Sequence, residues 1–415
     1  MADLNGHSGT LAPPRPRQSA MADVAGEAAV IHQRIAVSFE YPVCFTRNAF
    51  APENPVLTEV VARREPARRH RVFPMIDEGV ARRHPGLPAR IQAYIAAHPD
   101  QLALAAPPHP VPGGEAAKND PAVLDGLLGR LQAAGMDRQS VVLAVGGGAV
   151  LDAVGYAAAI THRGVRLVRM PTTVLGQNDS GVGVKTAINA FSAKNYLGAF
   201  APPFAVVNDF DFLAALEARD RIAGIAEAVK VALIRDAAFF GWLEGAAPAL
   251  TAFRPAETER MIRRCAELHL AHIAGCGDPF EMGSARPLDY GHWAAHKLET
   301  LTHHELRHGE AVAIGMTLDA NYAVRVGMLA EADYRRIRGL LARLGFRLWH
   351  DALARPGQHG KRAVLAGLDE FREHLGGDLT ITLLTGIGRA VEVNEIDTAL
   401  VEEAILALER DDRAP

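Results

Sequence analysis

The sequence has 415 residues and a formal net charge of −4, with 49% hydrophobic and 22% charged residues. This balance is typical of a globular protein, and the length predicts two or three domains. The small net charge argues against binding to nucleic acid or to an anionic membrane surface. We find no apolar run long enough to cross a bilayer and no apolar signal-peptide core, so we expect a cytoplasmic protein. The three cysteines form no CxxC pair, which predicts isolated reduced thiols at Cys44, Cys265 and Cys276.

The first half of the chain reads as a tail followed by alternating strands and helices. Residues 1–29 are rich in Ala, Pro and Gly without periodicity, which predicts a disordered tail. An apolar run ending at Asp77 and a β-branched run ending in Gly146-Gly147-Gly148 indicate two strands. Strands that alternate with helices predict a parallel sheet. The predicted elements here are strands at Arg71–Ile76, Ser140–Val145 and Val165–Met170, and helices at Ile91–Ala97 and Ala149–Ile160.

Beyond about Asn208 helical periodicity dominates, with one late strand at Leu379–Leu384. The sequence therefore predicts an α/β plus α architecture. A Rossmann-like parallel-sheet domain is expected at residues 30–208 and a mostly helical domain at residues 209–415. Ligands of such sheets bind at the carboxyl ends of the strands, so we expect the site in the cleft between the domains. The predicted helices are Gly224–Leu233, Glu257–Ala274, Gly291–Leu301, Gly309–Val326 and Glu331–Leu344.

The glycine triplet 146–148 lies between a predicted strand and a predicted helix. Without Cβ atoms the backbone can approach a pyrophosphate closely, and the helix N-terminus offers unpaired N–H groups. This triplet is not the GxGxxG fingerprint of dinucleotide-binding proteins. An ordinary tight turn between a strand and a helix is an equally good reading of the triplet alone.

Histidines and a glutamate are spaced as candidate metal ligands. His292 and His296 are i and i+4, so they share one helix face, and His308 and Glu227 lie on other predicted helices. One Glu and two His can hold Zn²⁺ and leave one position open for a substrate. The alternative is a set of ordinary core or surface histidines. The run His304–His308 also matches the HExxH pattern of zinc peptidases, but no third ligand follows at the required spacing and the preceding residues predict a turn.

Seven motifs in order carry a family resemblance. They begin with Gly113-Gly114-Glu115, Gly146-Gly147-Gly148-Ala-Val-Leu-Asp152 and the run from Pro171 to Lys185. They continue with Lys194-Asn195, Gly224-Ile-Ala-Glu227-Ala-Val-Lys230, Gly291-His292-Trp-Ala-Ala-His296 and His308-Gly309-Glu310. Over residues 70–385 the sequence resembles the dehydroquinate synthase superfamily of sugar phosphate cyclases.

The resemblance implies a cofactor, a metal ion and a dimer. It marks residues 30–208 as the NAD-binding domain and residues 209–415 as the metal and substrate domain. The arginine that corresponds to Arg163 reaches across a dimer interface in the family, which implies a homodimer. Glu227, His292 and His308 look like ligands of Zn²⁺ or sometimes Co²⁺. The positions implied to hold NAD are Asp77, Glu115, Lys118, Gly147, Gly148, Asp152, Thr172, Thr173, Asp179 and Lys194. The positions implied to surround the substrate and its phosphate are Lys185, Asn195, Lys230, His296 and Arg163.

Departures from the dehydroquinate synthase pattern point to a different substrate. Dehydroquinate synthases have Asn where this chain has Asp289, and their arginine lies four residues before it, whereas Arg286 lies three before. A carboxylate at Asp289 would repel a carboxylated substrate but accept hydrogen bonds from sugar hydroxyls. The runs 278–293 and 370–381 resemble the seven-carbon cyclases, which adds Asp289 and His374 as substrate-pocket candidates. Taken alone, Asp289 could instead be a helix N-cap, and His374 an exposed histidine.

The resemblance therefore implies a sedoheptulose 7-phosphate cyclase, a phosphate-eliminating lyase. In this reaction NAD⁺ oxidises one substrate carbon, phosphate leaves, the hydride returns, and an intramolecular aldol step closes the ring. Lys185, Lys230 and Arg163 would neutralise phosphate charge, and His296 would relay protons because a histidine ordinarily titrates near neutrality. The product would be 2-epi-valiolone or 2-epi-5-epi-valiolone, and the run 177–180 favours the former. The alternatives are a 3-dehydroquinate synthase, a metal-dependent alcohol or glycerol dehydrogenase, and a non-catalytic NAD-binding relative.

Overall fold

The computed structural model describes residues 30–191, 193–275, 278–280, 287–357, 360–374 and 377–413, with the side chain of His374 left out. By its contacts the chain divides into two units, residues 1–39 and 40–415. In the first unit only residues 30–39 are described, and these are exposed and form no helix or strand. No described helix is both long and apolar enough to span a membrane.

Strands and helices alternate from residue 43 to residue 209, as predicted. The strand β2 includes Asp77 at its carboxyl end, and β5 leads directly into the glycine turn. In chain order the elements are β1 (Val43–Thr46), α1 (Val56–Ala62), β2 (His70–Asp77), α2 (Glu78–Arg83), α3 (Leu87–Ala97), β3 (Leu102–Leu104), β4 (His109–Val111), α4 (Ala116–Asn119), α5 (Pro121–Ala133), β5 (Val141–Gly146), α6 (Gly148–Ile160), β6 (Arg166–Pro171), β7 (Lys185–Ala190), β8 (Ala193–Phe200) and β9 (Ala205–Asp209).

A parallel sheet of seven strands forms the base of this region. Its order is β1-β9-β6-β5-β2-β3, with β4 also paired to β2, and all of these pairs are parallel. Every residue of β5 is buried, because helices cover both faces of the sheet and a central strand must then be apolar throughout. Strands β7 and β8 form a separate antiparallel hairpin. The predicted parallel-sheet fold class is confirmed.

Helices dominate the rest of the chain, and one large apolar cluster unites them. The five predicted helices are present with ends within two residues of the predicted ones. The late strand pairs with a second strand, β11, that the sequence analysis did not identify. The elements are α7 (Ala218–Ala223), α8 (Ile225–Arg235), α9 (Ala237–Thr251), α10 (Pro255–Gly275), α11 (His292–Leu301), α12 (His308–Arg325), α13 (Glu331–Arg343), α14 (Ala366–His374), β10 (Ile381–Gly386), β11 (Arg389–Val393) and α15 (Thr398–Arg413).

The boundary between the two predicted domains stays a prediction. The last strand of the parallel sheet ends at Asp209, and α7 begins at Ala218. Residues 40–415 nevertheless form a single unit by their contacts. The change from sheet to helices near residue 208 is therefore a change in architecture within one unit.

Helix α12 begins in close contact with the end of α7. A Cβ atom at Gly309 would lie 1.8 Å from the carbonyl oxygen of Ala223, so only glycine fits there without a shift of backbone. Gly309 therefore allows α12 to lie directly against the end of α7.

Replacing Gly309 by alanine is expected to destabilise the protein by about 2–3 kcal/mol, because extra volume in a packed contact forces the backbone apart. Gly339→Ala is the matched control, since Gly339 lies in α13 with open space around its Cβ position. That change should instead stabilise the protein by about 0.5–1 kcal/mol through helix propensity. Denaturant unfolding measures the free energy of unfolding of both variants. Equal values would show that Gly309 is not required for the contact between α7 and α12.

Candidate active site

Three side chains from three helices converge on one point. Glu227 is on α8, His292 is the first residue of α11, and His308 is the first residue of α12. Glu227 Oε1 lies 3.9 Å from His292 Nε2 and 3.6 Å from His308 Nε2. Ligands of one tetrahedral Zn²⁺ ion, each about 2.1 Å from it, stand about 3.4 Å apart. The separations therefore suit a shared ion after small side-chain shifts.

The environment of Glu227 also fits a cation. Its side chain is 1% exposed, and neither carboxylate oxygen makes a hydrogen bond that satisfies normal geometry with any described residue. Lys230, three residues further along α8, forms an ion pair with it. Buried carboxylates without hydrogen-bond partners are costly unless a charge compensates them. Glu227, His292 and His308 are thus one set of residues that could hold a divalent metal ion, and the neighbouring His296, Glu299 and His308 form a second set.

The protonation states of this cluster are set by burial and by charged neighbours. Burial would raise the pKa of Glu227, but Lys230 and the histidines outweigh it and hold the pKa at about 2. Burial and Lys230 lower the pKa of His292 to about 4, which leaves a neutral ring with a free lone pair. His308 differs, because Glu227 and Glu299 overcome the effect of burial and raise its pKa to about 9. Metal binding at this triad would therefore displace a proton from His308.

The HExxH reading is excluded by the backbone. His303 and His304 have φ angles of 51° and 62°, in the left-handed region that no α-helix contains. Helix α12 begins only at His308, so His304 and His308 do not share a helix face. A zinc peptidase motif needs both histidines on one helix.

Three of the predicted substrate residues, Lys185, Lys230 and His296, lie near Asp289 together with the candidate metal ligand His292. Burial raises the pKa of this carboxyl, but Lys185, His292, Lys230 and His296 together lower it below its ordinary value. Asp289 is therefore ionised beside two lysines and two neutral histidines. The alternative N-cap role is wrong, because Asp289 belongs to the short turn Pro287–Asp289 and α11 starts from Gly291 without a side-chain cap.

His296 lies one turn after His292 on α11, and their rings are 5.4 Å apart. Burial and the neighbouring His292 and Lys194 lower the pKa of His296 to about 3. The expected proton relay assumed an ordinary pKa near neutrality, whereas burial lowers the pKa of His296. The relay role stays a prediction. A neutral His296 can accept a proton or donate one ring hydrogen bond, but it does not carry a positive charge at pH 7.

A cavity of about 300 Å³ extends from the glycine turn to the start of α12 at His308. Gly147 and Gly148 contribute the start of α6, whose unpaired N–H groups could bind an anion. The cavity also reaches His308, the third candidate metal ligand. Five of the ten predicted cofactor residues line it, namely Asp77, Gly147, Gly148, Thr172 and Thr173.

Asp77 has a structural role as well. Its Oδ1 accepts hydrogen bonds from Gly79 N at 2.7 Å and Val80 N at 3.3 Å, so it caps helix α2. A Cβ at Gly113 would lie 2.8 Å from the same oxygen, which explains a glycine there. Asp77 could hold a ligand hydroxyl only through its second oxygen.

The other five predicted cofactor residues lie outside the lining of this cavity. Lys118 donates to Asp152 at 2.7 Å and also to Asn195, which ties α4 and α6 to the β7–β8 hairpin. Asp179 lies 2.9 Å from His269, and burial would raise its pKa, but His269 and Lys230 lower it. The complete set is Glu115, Lys118, Asp152, Asp179 and Lys194.

Comparison with known proteins identifies the family. The model for the 3-dehydroquinate synthase N-terminal domain matches residues 109–223, and the C-terminal model matches residues 224–364. A 2-epi-5-epi-valiolone synthase from Streptomyces glaucescens is 38% identical over 284 residues, which covers 68% of this chain and 70% of that protein. The chain belongs to the dehydroquinate synthase family of sugar phosphate cyclases.

Members of this family with different substrates are similarly close. A 3-dehydroquinate synthase from Cereibacter sphaeroides is 42% identical over 253 residues, and the match covers 60% of this chain but only 65% of that protein. The structure of a 2-epi-5-epi-valiolone synthase from Streptomyces hygroscopicus, with NAD⁺ and Zn²⁺ bound, superposes with a TM-score of 0.80 at 30% identity. That alignment covers 92% of this chain and 99% of the other.

Some residues marked by the family resemblance lie apart from the metal triad. Arg163 is exposed, with φ 63°, in the turn after α6, at the edge of the sheet opposite the glycine turn. Asn195 is exposed on β8 and contacts Lys118. His374 ends α14, but its side chain is not described, and Arg286 lies outside the described residues.

Glu299 is a site residue that the sequence analysis missed. It is 4% exposed, and its Oε2 lies 3.2 Å from Nδ1 of His308, the ring nitrogen that faces away from the triad. Its Oε1 accepts a hydrogen bond from Lys194 at 3.0 Å. A carboxylate behind a ligating histidine fixes the ring and makes it a stronger ligand. The i, i+4, i+7 spacing of His292, His296 and Glu299 was the available signal, since it places all three on one helix face.

Glu299→Gln is expected to weaken Zn²⁺ binding about 10–100-fold, which is the usual effect of losing an outer-sphere carboxylate. Glu305→Gln makes the same chemical change at an exposed position nearby and should leave the affinity unchanged. Competition with a chromophoric chelator measures both dissociation constants. Equal affinities in the two variants would show that Glu299 does not support His308.

Proposed function

We propose that this chain is a sedoheptulose 7-phosphate cyclase that releases phosphate and forms a seven-carbon cyclitol, 2-epi-valiolone or 2-epi-5-epi-valiolone. The observation that carries the proposal is the ionised Asp289 among Lys185, Lys230 and His296. A carboxylate there accepts hydrogen bonds from neutral hydroxyls and repels a carboxylated substrate. The similarity to two 2-epi-5-epi-valiolone synthases supports the same substrate class.

The proposed cofactors are NAD⁺ and one Zn²⁺ or Co²⁺ ion. Glu227, His292 and His308 would hold the ion, and the glycine-turn cavity would hold the dinucleotide. A related synthase whose structure contains NAD⁺ and Zn²⁺ supports this pair of cofactors. When bound, these groups would supply reversible hydride transfer at one substrate carbon and polarisation of the oxygen on that carbon.

The residues of the chain would bind and orient the sugar phosphate. Lys185 and Lys230 place positive charge beside Asp289, where phosphate charge develops as the bond breaks. Asp289 would orient the substrate through its hydroxyls. His296 is uncharged at neutral pH, so it would orient a substrate hydroxyl by a hydrogen bond to its neutral ring.

We also propose a cytoplasmic homodimer. Arg163 lies in the turn after α6, so the 13 residues of that helix separate it from the glycine turn. This placement supports a contact between Arg163 and the substrate phosphate of a second copy. Sedimentation velocity of the purified protein tests the dimer directly, and a monomer at enzyme-assay concentrations would remove Arg163 from the site.

Cyclase and dehydrogenase activities are distinguished by the fate of the hydride. A cyclase returns the hydride to the substrate, so phosphate is released while NADH does not accumulate. An alcohol or glycerol dehydrogenase would instead accumulate one NADH per substrate oxidised. Incubation of the protein with NAD⁺, Zn²⁺ and sedoheptulose 7-phosphate, followed by phosphate assay and NADH absorbance, decides between them.

A 3-dehydroquinate synthase is the second candidate, because the enzyme from Cereibacter sphaeroides is 42% identical to the chain over the matched region. It differs from the main proposal only in the substrate. The same assay with the carboxylated seven-carbon precursor of dehydroquinate separates the two, because only one of the substrates should release phosphate efficiently.

A further inference from the structure

Asp319 is a buried carboxylate on α12 that belongs to neither the candidate metal ligands nor the candidate substrate residues. Asp319 is 3% exposed, and its two oxygens accept hydrogen bonds from two residues at the start of α11. Oδ2 accepts from the backbone N–H of Gly291 at 3.0 Å, and Oδ1 accepts from the indole N–H of Trp293 at 2.8 Å. These two residues flank His292, the candidate metal ligand.

The backbone around Gly291 is packed closely against α12. Gly291 has φ 78°, and a Cβ there would lie 2.7 Å from the backbone nitrogen of Met316. A Cβ at Gly315 would lie 2.0 Å from the carbonyl oxygen of Gly291. The turn before α11 therefore lies directly on the backbone of α12, and glycine is needed on both sides of the contact.

A third hydrogen bond joins the turn before α11 to α12. The hydroxyl of Tyr290 donates to the carbonyl oxygen of Met316 at 2.9 Å. Within the turn, Nδ1 of His292 lies 3.0 Å from the carbonyl oxygen of Tyr290, so Nε2 is the nitrogen that faces Glu227. The direction of the His292 ring thus depends on a turn that α12 holds through Asp319 and Met316.

Burying a carboxylate against two neutral donors is expensive, and burial raises the pKa of Asp319 to about 7. An apolar residue would fill the space between these helices at lower cost. The Asp319 carboxylate provides two hydrogen-bond acceptors at fixed positions. One accepts from the backbone N–H of Gly291 and the other from the indole N–H of Trp293, the residues on either side of His292. Fixed hydrogen bonds of this kind reduce the reorganisation that metal binding would require.

We infer that Asp319 is a positioning residue, which holds the turn 290–293 on α12 so that His292 is preset for the metal ion. The inference rests on the proposed metal site of Glu227, His292 and His308. It does not depend on which sugar phosphate the protein uses.

Metal affinity is the decisive readout, because a purely structural role would change stability alone. We expect Asp319→Asn, which leaves one donor without an acceptor, to weaken Zn²⁺ binding to the metal-free protein about 10–100-fold. Trp293→Phe removes only the indole donor and should weaken binding less. The Co²⁺ absorption spectrum of Asp319→Asn should also differ from that of the wild type, because the histidine approaches the ion from a changed angle.

Thr317→Val is the matched control. Thr317 is fully buried on the same helix, but its hydroxyl donates to Ala313 of α12 itself at 2.8 Å and not to α11. This variant should lose some stability and keep the wild-type Zn²⁺ affinity and Co²⁺ spectrum. Thermal unfolding of the metal-free proteins reports on stability separately.

Wild-type affinity and an unchanged Co²⁺ spectrum in Asp319→Asn would overturn the inference. If that variant does not fold, Trp293→Phe decides, and wild-type affinity there would equally overturn it. Failure of the wild-type protein to bind Zn²⁺ or Co²⁺ would instead refute the metal site on which the proposed function depends. The two failures are therefore distinguishable in one set of titrations.

Discussion

Replacing Glu227 by glutamine is expected to abolish phosphate release and to weaken Zn²⁺ binding by more than the ~100-fold typical of losing an outer-sphere partner. The amide keeps the shape of the side chain but removes the negative charge shared by the candidate ion and Lys230. In the metal-free protein the change also leaves a 4% exposed lysine without its partner. Breaking a buried ion pair in this way costs about 3–5 kcal/mol of stability.

The double variant Glu227→Gln/Lys230→Met separates the two effects. Removing the lysine charge as well should recover most of the lost stability, because no unpaired charge stays buried. Zn²⁺ binding should not recover, since the anionic ligand is still absent. Titration with Zn²⁺ and denaturant unfolding of both variants are the measurements. Wild-type Zn²⁺ affinity in Glu227→Gln would show that the triad is not the metal site.

Asp289→Asn is expected to lower kcat/KM for sedoheptulose 7-phosphate about 100-fold. Hydrogen bonds to a charged acceptor contribute about 1.5–3 kcal/mol each, and an amide cannot accept from the same set of hydroxyls. Zn²⁺ affinity should stay within a few-fold of the wild type, because Asp289 belongs to neither group of side chains that could hold the ion. Steady-state phosphate release and Zn²⁺ titration measure the two quantities.

Asp289→Glu is the companion variant, because it keeps the charge and moves it by one methylene. It should retain more activity than Asp289→Asn if charge governs substrate choice. The asparagine variant should also use the carboxylated precursor of dehydroquinate better than the wild type does, since the repelling charge is gone. Unchanged kcat/KM for both substrates in Asp289→Asn would remove Asp289 from the substrate pocket.

The main strands and helices were predictable from the sequence because their apolar patterns agree with the burial of the same residues in the structure. The apolar run that ends at the glycine triplet became β5 and its turn, and the long helical pattern after His308 became α12. Strand β11 was missed because exposed and partly buried residues mix along Arg389–Val393, which hides the alternation of a strand. Helix α9 was missed as well, and it contains Pro248 within its span, which ordinarily argues against a helix.

The site was predictable only in part. Spacing placed His292 and His296 on one helix face, but the meeting of α8, α11 and α12 is a tertiary contact that spacing cannot give. The low pKa of His296 follows from burial beside His292 and Lys194, so it was invisible until the packing was known. Asp319 belongs to no motif, and its role depends on the closeness of Gly291 and Gly315.

Phosphate release from two substrates, assayed separately, distinguishes a sedoheptulose 7-phosphate cyclase from a 3-dehydroquinate synthase. The purified protein is incubated with NAD⁺ and Zn²⁺, and with either sedoheptulose 7-phosphate or the carboxylated seven-carbon precursor of dehydroquinate. We predict phosphate release from sedoheptulose 7-phosphate alone, without accumulation of NADH, and a cyclitol product whose epimer NMR identifies. Phosphate release from the carboxylated substrate alone would contradict the role of Asp289 and make the protein a 3-dehydroquinate synthase.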